Sequence, residues 1–469
     1  MPICDRIYSY VIKTDIGEIQ LAQLKLFSST GGARVAKRAG RAKQQKSKKP
    51  LKTLAIWLSV VLCLEGLYFF CVYTNNSFVK KWRTMYINTA MDTMTHQWLA
   101  EYFIPKDVID EVRFEYGEKK SATVGVETSW GKQDTAPTTP DDTTDSNVTH
   151  IDANITHNPT TDETPAPEEQ LAQDEEAFYE LFWEIDRSSM EAYLAEYPDK
   201  LANGWDHIYI NEAGFEDEGT SIRTIFDEQV LAIDAHNQIL LLREEGKGWR
   251  GVLAVAKDPT RLSLEMAATV PVTGQLSGEI AEANNGVLAI NANGFVDPEG
   301  GGNGGQVVGY AMSNGTAYGS HATAYAYKRI ELHENNLLYV KDALSPVSED
   351  CTDAAEFTPV LIVDGVKIMD DYWTGTQPRC ALGQSDKYEI LMLVIEGRNL
   401  LEGIVGTSVN TCSDILLQHN CMQGMALDGG TSAMMWFDGE YVIRSSNPNV
   451  RYTGGRTIPN AWVYHRAEN

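Results

Sequence analysis

Leu427-Asp428-Gly429-Gly430-Thr431-Ser432 closes an apolar, strand-like run that begins at Met422. A carboxylate is followed by two residues without side chains and then by two hydroxyls. A reacting sugar or phosphate needs the same combination: an acid, a close backbone approach and hydrogen-bonding groups at one point. The plainer reading is a tight turn, because Asp-Gly between apolar runs is the strongest short hairpin signal. Two other Asp-Gly pairs fit that plainer reading. Asp364-Gly365 lies between Val360–Val363 and Val366–Met369, and Asp438-Gly439 between Met434–Phe437 and Glu440–Arg444. Both are expected to be hairpin turns.

Outward from this segment, short β-rich runs alternate with Gly, Asn and Asp from about Trp205 to the end of the chain. Helical spacing is sparse there, near Gly278–Asn284 and Ser413–Asn420, the second with Thr411 as candidate N-cap. The pattern predicts an α+β domain with a mixed, sheet-rich architecture over 205–469.

The rest of the 469 residues divides by composition. Residues 1–53 form a basic tail; the first 52 carry a net +9, while the whole chain is −26. Residues 54–73 read LAIWLSVVLCLEGLYFFCVY, with Glu65 as the single charge. That is long enough to cross a bilayer as a helix. Lysines and arginines crowd its N-terminal side, so a single-pass cell-membrane anchor is expected, with the N-terminus cytoplasmic and the C-terminal domain extracellular. A cleaved signal peptide is the rival reading, disfavoured by the length of the apolar run and of the tail before it. Residues 74–131 suggest a helical stalk with Met91, Met94, Trp98 and Tyr102 at helical spacing. Residues 132–170, rich in Thr, Pro and Asp, suggest a disordered linker containing two glycosylation-type triplets at Asn147 and Asn154. Residues 171–204 suggest a helical lead-in.

The acidic remainder argues against nucleic acid as a partner, which needs a basic footprint. No G-x-S-x-G elbow, H-E-x-x-H pair or calcium loop is present, so neither a metal nor a cofactor is expected. Cys351, Cys380, Cys412 and Cys421 lie outside the apolar span. Spacing leaves a Cys351–Cys380 bridge and four buried thiols both open. The run Gly300–Gly305 lacks the Lys-Ser/Thr ending of a phosphate loop and reads as a mobile loop at a site rim.

Five segments then occur in a set order: Ile290-Asn291-Ala292-Asn293-Gly294-Phe295, Pro378-Arg379-Cys380-Ala381-Leu382-Gly383, Ile395-Glu396-Gly397-Arg398, Leu427 to Ser432, and Arg456-Thr457-Ile458-Pro459-Asn460-Ala461. In that order they resemble the phosphodiester glycosidase family, whose elements look like I-N-G-G-F-F, P-R-T-A-I-G, V-D-G-R, L-D-G-G-G-S-S and R-x-V-x-N-A. Ala292, Cys380, Thr431 and Ala433 depart from those patterns. The resemblance implies a hydrolase acting on a carbohydrate or sugar-phosphate, in a cell-surface glycopolymer. The alternative is an inactive glycan-binding or polysaccharide-assembly module on the same fold.

Such chemistry needs a carboxylate to act as base or nucleophile at the anomeric carbon, and guanidinium forks for phosphate oxygens. Asp428 is the first carboxylate and Asp297 the second, with Glu396 a weaker third. Arg379 and Arg456 are the expected phosphate ligands. Asn291, Asn293, Gly294, Gly429, Gly430 and Ser432 are the expected substrate-binding set. Tyr372 and Trp373 are candidates for stacking on a sugar ring.

Overall fold

A computed structural model describes residues 49–92, 97–129, 167–215, 217–320, 327–368 and 375–468. The basic tail before residue 49, both glycosylation-type triplets, most of the expected linker, Met94, Tyr372 and Trp373 lie outside them. The chain divides into two compact units, Met1–Glu115 and Tyr116–Asn469.

In the first unit, helix Lys49–Tyr73 contains the one helical stretch among the described residues that is long and apolar enough to cross a membrane, Ala55–Tyr73. Its apolar side chains, Trp57, Leu62, Leu64 and Leu67 among them, face outward rather than into a core. Helix Ser77–Met91 comes next. Asn76 caps it by accepting from the amides of Phe78 (3.1 Å) and Val79 (3.3 Å).

The second unit is built on three sheets. The largest has nine strands, running edge to edge as Tyr209–Asn211, Gln229–Asp234, Ile239–Gly246, Trp249–Ala256, Ile390–Ile395, Arg379–Ser385, Cys421–Leu427, Val360–Val363 and Val366–Lys367. A five-stranded sheet orders Glu440–Ile443, Met435–Phe437, Gly286–Asn291, Asn460–His465 and Leu262–Met266. Another orders Leu338–Asp342, Lys328–His333, Cys351–Phe357, Tyr310–Ser313 and Thr316–Gly319. The α+β expectation holds, but the strand pairs among the described residues are antiparallel throughout rather than mixed. Tight turns join several neighbouring strands, among them Ile239–Gly246 to Trp249–Ala256 and Met435–Phe437 to Glu440–Ile443. The helical crossover Val409–Gln418 links two strands, Ile390–Ile395 and Cys421–Leu427, that flank Arg379–Ser385 on opposite sides.

Burial on both faces explains the unbroken apolar runs of the nine-stranded sheet. Within Ile390–Ile395, Ile390, Met392 and Val394 enter one core, and Leu391, Leu393 and Ile395 the other. The first core packs against the strands of the two smaller sheets. The second is covered by helices Pro167–Leu181, Arg187–Glu196 and Val409–Gln418, through Phe178, Met190 and Leu416, with Phe182 just past the end of the first. Residues that read as a lead-in helix thus form part of the main hydrophobic core. Asp186 caps Arg187–Glu196 by accepting from the Ser189 amide at 2.8 Å. Asp186→Ala is expected to cost about 1 kcal/mol of stability in urea unfolding.

Two local expectations change. Helix Val409–Gln418 starts earlier than expected, with Ser408 rather than Thr411 as N-cap, because Ser408 Oγ accepts from the Thr411 amide. Cys351, Cys380, Cys412 and Cys421 are free thiols, each buried in apolar surroundings.

The three Asp-Gly pairs also separate. Asp364-Gly365 and Asp438-Gly439 have positive φ at both residues, as a two-residue hairpin turn requires. Asp428-Gly429 does not: Gly429 has φ −109°, and a 3-10 turn, Gly430–Ser432, comes directly after it. Strand Cys421–Leu427 therefore does not fold back on itself. The turn passes the chain from the nine-stranded sheet to strand Met435–Phe437 of a different sheet.

Candidate active site

Strand register brings the carboxylate and two guanidiniums to one edge of the nine-stranded sheet. Cys380 lies opposite Leu427, and Arg379 opposite Ile395. Arg379 thus opens its strand where Asp428 leaves one neighbour, and Arg398 lies three residues beyond the end of the other. The neighbouring sheet ends a strand there too, at Asn291. Asn291 Nδ2 donates to the Asp428 carbonyl (2.5 Å), and its Oδ1 accepts from the Met434 amide (3.3 Å). The Asp428 amide donates to the Ala292 carbonyl (3.0 Å). Asn291 is fully buried, so it grips the Asp428 backbone from below.

The two glycines have separate tasks. A Cβ on Gly429 would sit 2.8 Å from the Pro378 carbonyl, so the close approach excludes a side chain. Gly430 has φ +62°, a conformation costly for other residues. Gly430→Val is therefore expected to destabilise the protein by about 1–3 kcal/mol, read as a lower urea midpoint.

Asp428 is half-buried, and desolvation pushes its pKa up to about 6. The Ser432 hydroxyl, the Arg456 charge and the Gly429 amide pull it down, while Asp297 pushes it up. Asp297 behaves differently. Burial raises its pKa, but hydrogen bonds from Arg456 and the Gly302 amide, with the Arg456 charge, outweigh that and hold it below the usual carboxylate range. Arg456 grips Asp297 with both terminal nitrogens, each at 2.7 Å, and the Gly302 amide donates to Asp297 at 2.6 Å. The Gly-rich run, which reads as a mobile rim loop, is tied here through both its Gly302 amide and carbonyl. Thr431, a departure from the family pattern, supplies a further acceptor for Arg456 at 3.0 Å. The guanidinium also lies over the Phe295 ring, 4.7 Å from its centre.

Arg379 donates through Nε to the Thr407 carbonyl (3.1 Å) and through Nη2 to the Gly375 carbonyl (3.0 Å). Arg398 stands beside it. Burial first, and then the Arg379 charge, lower the Arg398 pKa, and its nitrogens come within 3.6 Å of where a Gly430 Cβ would be. Sequence reasoning did not place Arg398 in the site, although it ends the segment resembling V-D-G-R. Tyr327 was also missed. Burial raises its pKa, and the Asp428 charge is the next cause, which puts the phenol close enough to feel that carboxylate. Nothing in its local sequence marks it.

Other expected site residues sit deeper or elsewhere. Asn293 Nδ2 is directed at the Val308, Tyr310 and Glu356 carbonyls, and its Oδ1 accepts from Asn460 Nδ2 at 2.9 Å. Gly294 accepts the Val308 amide at 2.8 Å. Both shape the loop behind Asn291. Ser432 is buried under Asp428. Ala433 enters the hydrophobic core, and the Cys380 thiol meets the Asn291 carbonyl at 3.5 Å. Glu396 is buried between Arg250 (2.5 Å) and Arg451, a structural ion-pair network. It lines a cavity of about 370 Å³ with Phe215, Arg243 and Tyr452, which contains none of the groups around Asp428. The converging charges, not that volume, mark the candidate active site.

Residues 284–465 match the family model described as phosphodiester glycosidase. This part of the chain is therefore similar to phosphodiester glycosidase domains, and the matched span includes Asn291, Asp297, Arg379, Arg398, Asp428 and Arg456. The catalytic domain of zebrafish N-acetylglucosamine-1-phosphodiester alpha-N-acetylglucosaminidase, auto-inhibited by its pro-peptide, overlaps with TM-score 0.41 at 16% identity, covering 49% of this chain and 82% of that one. A hypothetical protein from Synechocystis overlaps with TM-score 0.33 at 14% identity, covering 52% and 65%. No curated protein matches the chain.

Proposed function

We propose that this glycosidase-type domain is a hydrolase cleaving the bond between an anomeric carbon and a phosphate oxygen, in a cell-surface glycopolymer. The observation that carries the proposal is that strand register brings two guanidiniums, Arg379 and Arg398, to the same end of the sheet as Asp428, a carboxylate whose pKa stands near 6. A phosphate leaving group already bears charge and needs little protonation; it needs that charge stabilised where water is scarce. In this reading Arg379 and Arg398 hold the phosphate oxygens, and Asp428 takes the proton from the attacking water. The water oxygen bonds to the anomeric carbon, and the electrons of the broken C–O bond leave with the phosphate. Arg456, with both terminal nitrogens engaged by Asp297, positions the edge of the site and tunes Asp428.

The charge pairing also tells a sugar-phosphodiester from a neutral glycoside. Arg379→Ala and Arg398→Ala are each expected to lower kcat/KM for a sugar-1-phosphodiester by about 10²-fold or more. Turnover of the same sugar on a neutral aglycone should fall far less. Equal losses on both substrates would instead make the enzyme an ordinary glycosidase.

Placement outside the cell, anchored by Ala55–Tyr73, is supported by the apolar, outward-facing surface of that helix and by the basic residues before it. Added protease should cleave a tag after Asn469 on intact cells and leave one before Met1 untouched. The reverse pattern would refute the orientation.

A further inference from the structure

Away from the candidate active site, three buried ligand-type side chains meet beside strands Gln229–Asp234 and Ile239–Gly246 of the nine-stranded sheet. Gln229 pairs with Arg243 in antiparallel register, so the adjoining residues Glu228 and Glu244 fall opposite one another. His419 lies just past helix Val409–Gln418 and brings its ring to the same point. His419 Nε2 lies 3.0 Å from Glu228 Oε1, and one ligand atom from each of the three residues lies within 4.8 Å of the others. Glu228 also accepts from Thr224 Oγ1 (2.8 Å) and Gln418 Nε2 (2.6 Å), which fix its orientation.

Hydrogen bonding leaves this cluster incomplete. Glu244 Oε1 and His419 Nδ1 are both buried without a partner, with Glu244 8% and His419 0% exposed. Interiors seldom leave such atoms unsatisfied, because each costs about 1–3 kcal/mol. Two adjacent buried carboxyls also cannot both ionise readily. A proton shared between them relieves that repulsion. A dication would neutralise the pair more completely than that proton.

We propose that Glu228, Glu244 and His419 form a binding site for a divalent transition-metal ion of the zinc type. Two carboxylates and an imidazole suit zinc better than calcium, which takes oxygen ligands in larger number. On binding, the ion forms bonds to one oxygen of each carboxylate and to one imidazole nitrogen, and the Glu244 proton leaves to solvent. The site would tie the Thr224–Glu228 turn, strand Ile239–Gly246 and the end of the helix together. Nothing in the site touches Asp428, so its role is structural.

The test is calorimetric titration of the full-length chain, in mild detergent, with Zn²⁺ alone. The wild type is expected to bind one more equivalent than Glu244→Gln, which mimics the neutral acid and keeps its shape. About one proton should be released per ion at that site, seen by repeating the titration in buffers of different ionisation enthalpy. Zn²⁺ should raise the Tm of the wild type and leave that of Glu244→Gln unmoved. Equal stoichiometry and equal Tm response in the two proteins overturn the proposal. Should Glu244→Gln fail to fold, X-ray absorption of the wild type loaded with one equivalent of Zn²⁺ decides. Imidazole scattering supports the site, and its absence overturns it.

Discussion

Asp428→Asn is expected to lower kcat/KM on a sugar-1-phosphodiester by about 10²–10⁴-fold while leaving the fold intact. The same change should stabilise the protein at neutral pH. The sign comes from the raised pKa. A carboxyl whose folded pKa stands near 6, against about 4 unfolded, holds its proton more tightly when folded. Below the unfolded value both states are protonated and there is no penalty. Between about 4 and 6 the native state still binds the proton that the unfolded chain has released, so stability falls as pH rises. Above 6 the cost of the buried charge is fully present. It amounts to at most about 3 kcal/mol, less where water reaches the half-buried group. Asparagine carries no such cost, so urea unfolding at pH 7.5 should show a higher midpoint for the variant than for the wild type. Wild-type activity should fall as pH drops through about 6, because protonated Asp428 cannot accept a proton. A variant that retains full turnover would exclude Asp428 as the base. Loss of stability with loss of activity would mean that the side chain holds the fold instead.

Arg456→Ala should be the most damaging single change to stability at this edge of the domain, about 3–5 kcal/mol. It removes both bonds to Asp297 and leaves a largely buried carboxylate without its partner; the side chains are only 9% and 15% exposed. Asp297→Asn should be milder, since the amide oxygen can still accept from Arg456. The two variants also make opposite predictions for catalysis. Arg456 lowers the pKa of Asp428 and Asp297 raises it. Removing Arg456 should therefore shift the acidic limb of the pH–rate profile to higher pH, and Asp297→Asn should shift it to lower pH. Shifts in the same direction, or none, would show that the pair acts on the fold alone.

Much of this site was legible from residue order. Asp428 could not be told from the two hairpin Asp-Gly pairs by local composition, which favours a turn at all three; the segments that resemble the family, in their set order, singled it out. Asn291, Arg379 and Arg456 were found through the sequence segments they belong to. What stayed hidden was which group faces which. Arg456 reads as a free fork, and only the structure shows Asp297 filling it across 159 residues of chain. Arg398 lies in one of the resembling segments but gains meaning only from its neighbour Arg379. Tyr327 carries no signal, since its part comes wholly from tertiary placement. The continuous apolar strands announced burial on both faces, whereas strand direction depended on connections that composition does not encode. The Thr411 cap failed for a local reason: Ser408 offers the same oxygen one turn earlier.

The 3-10 turn after Asp428 is the covalent bridge from one sheet to another, and Asn291 and Ala292 rivet its start to the second sheet. The carboxylate is therefore mounted on a weld between two slabs rather than on a loop. Breathing between the slabs would move Asp428 away from Arg379, which is fixed to one slab alone. An occupied site should thus act as a clamp on that joint. Its imprint should be slower amide exchange at Asp428 and Met434, deep in the seam, as well as at the rim where a sugar would rest.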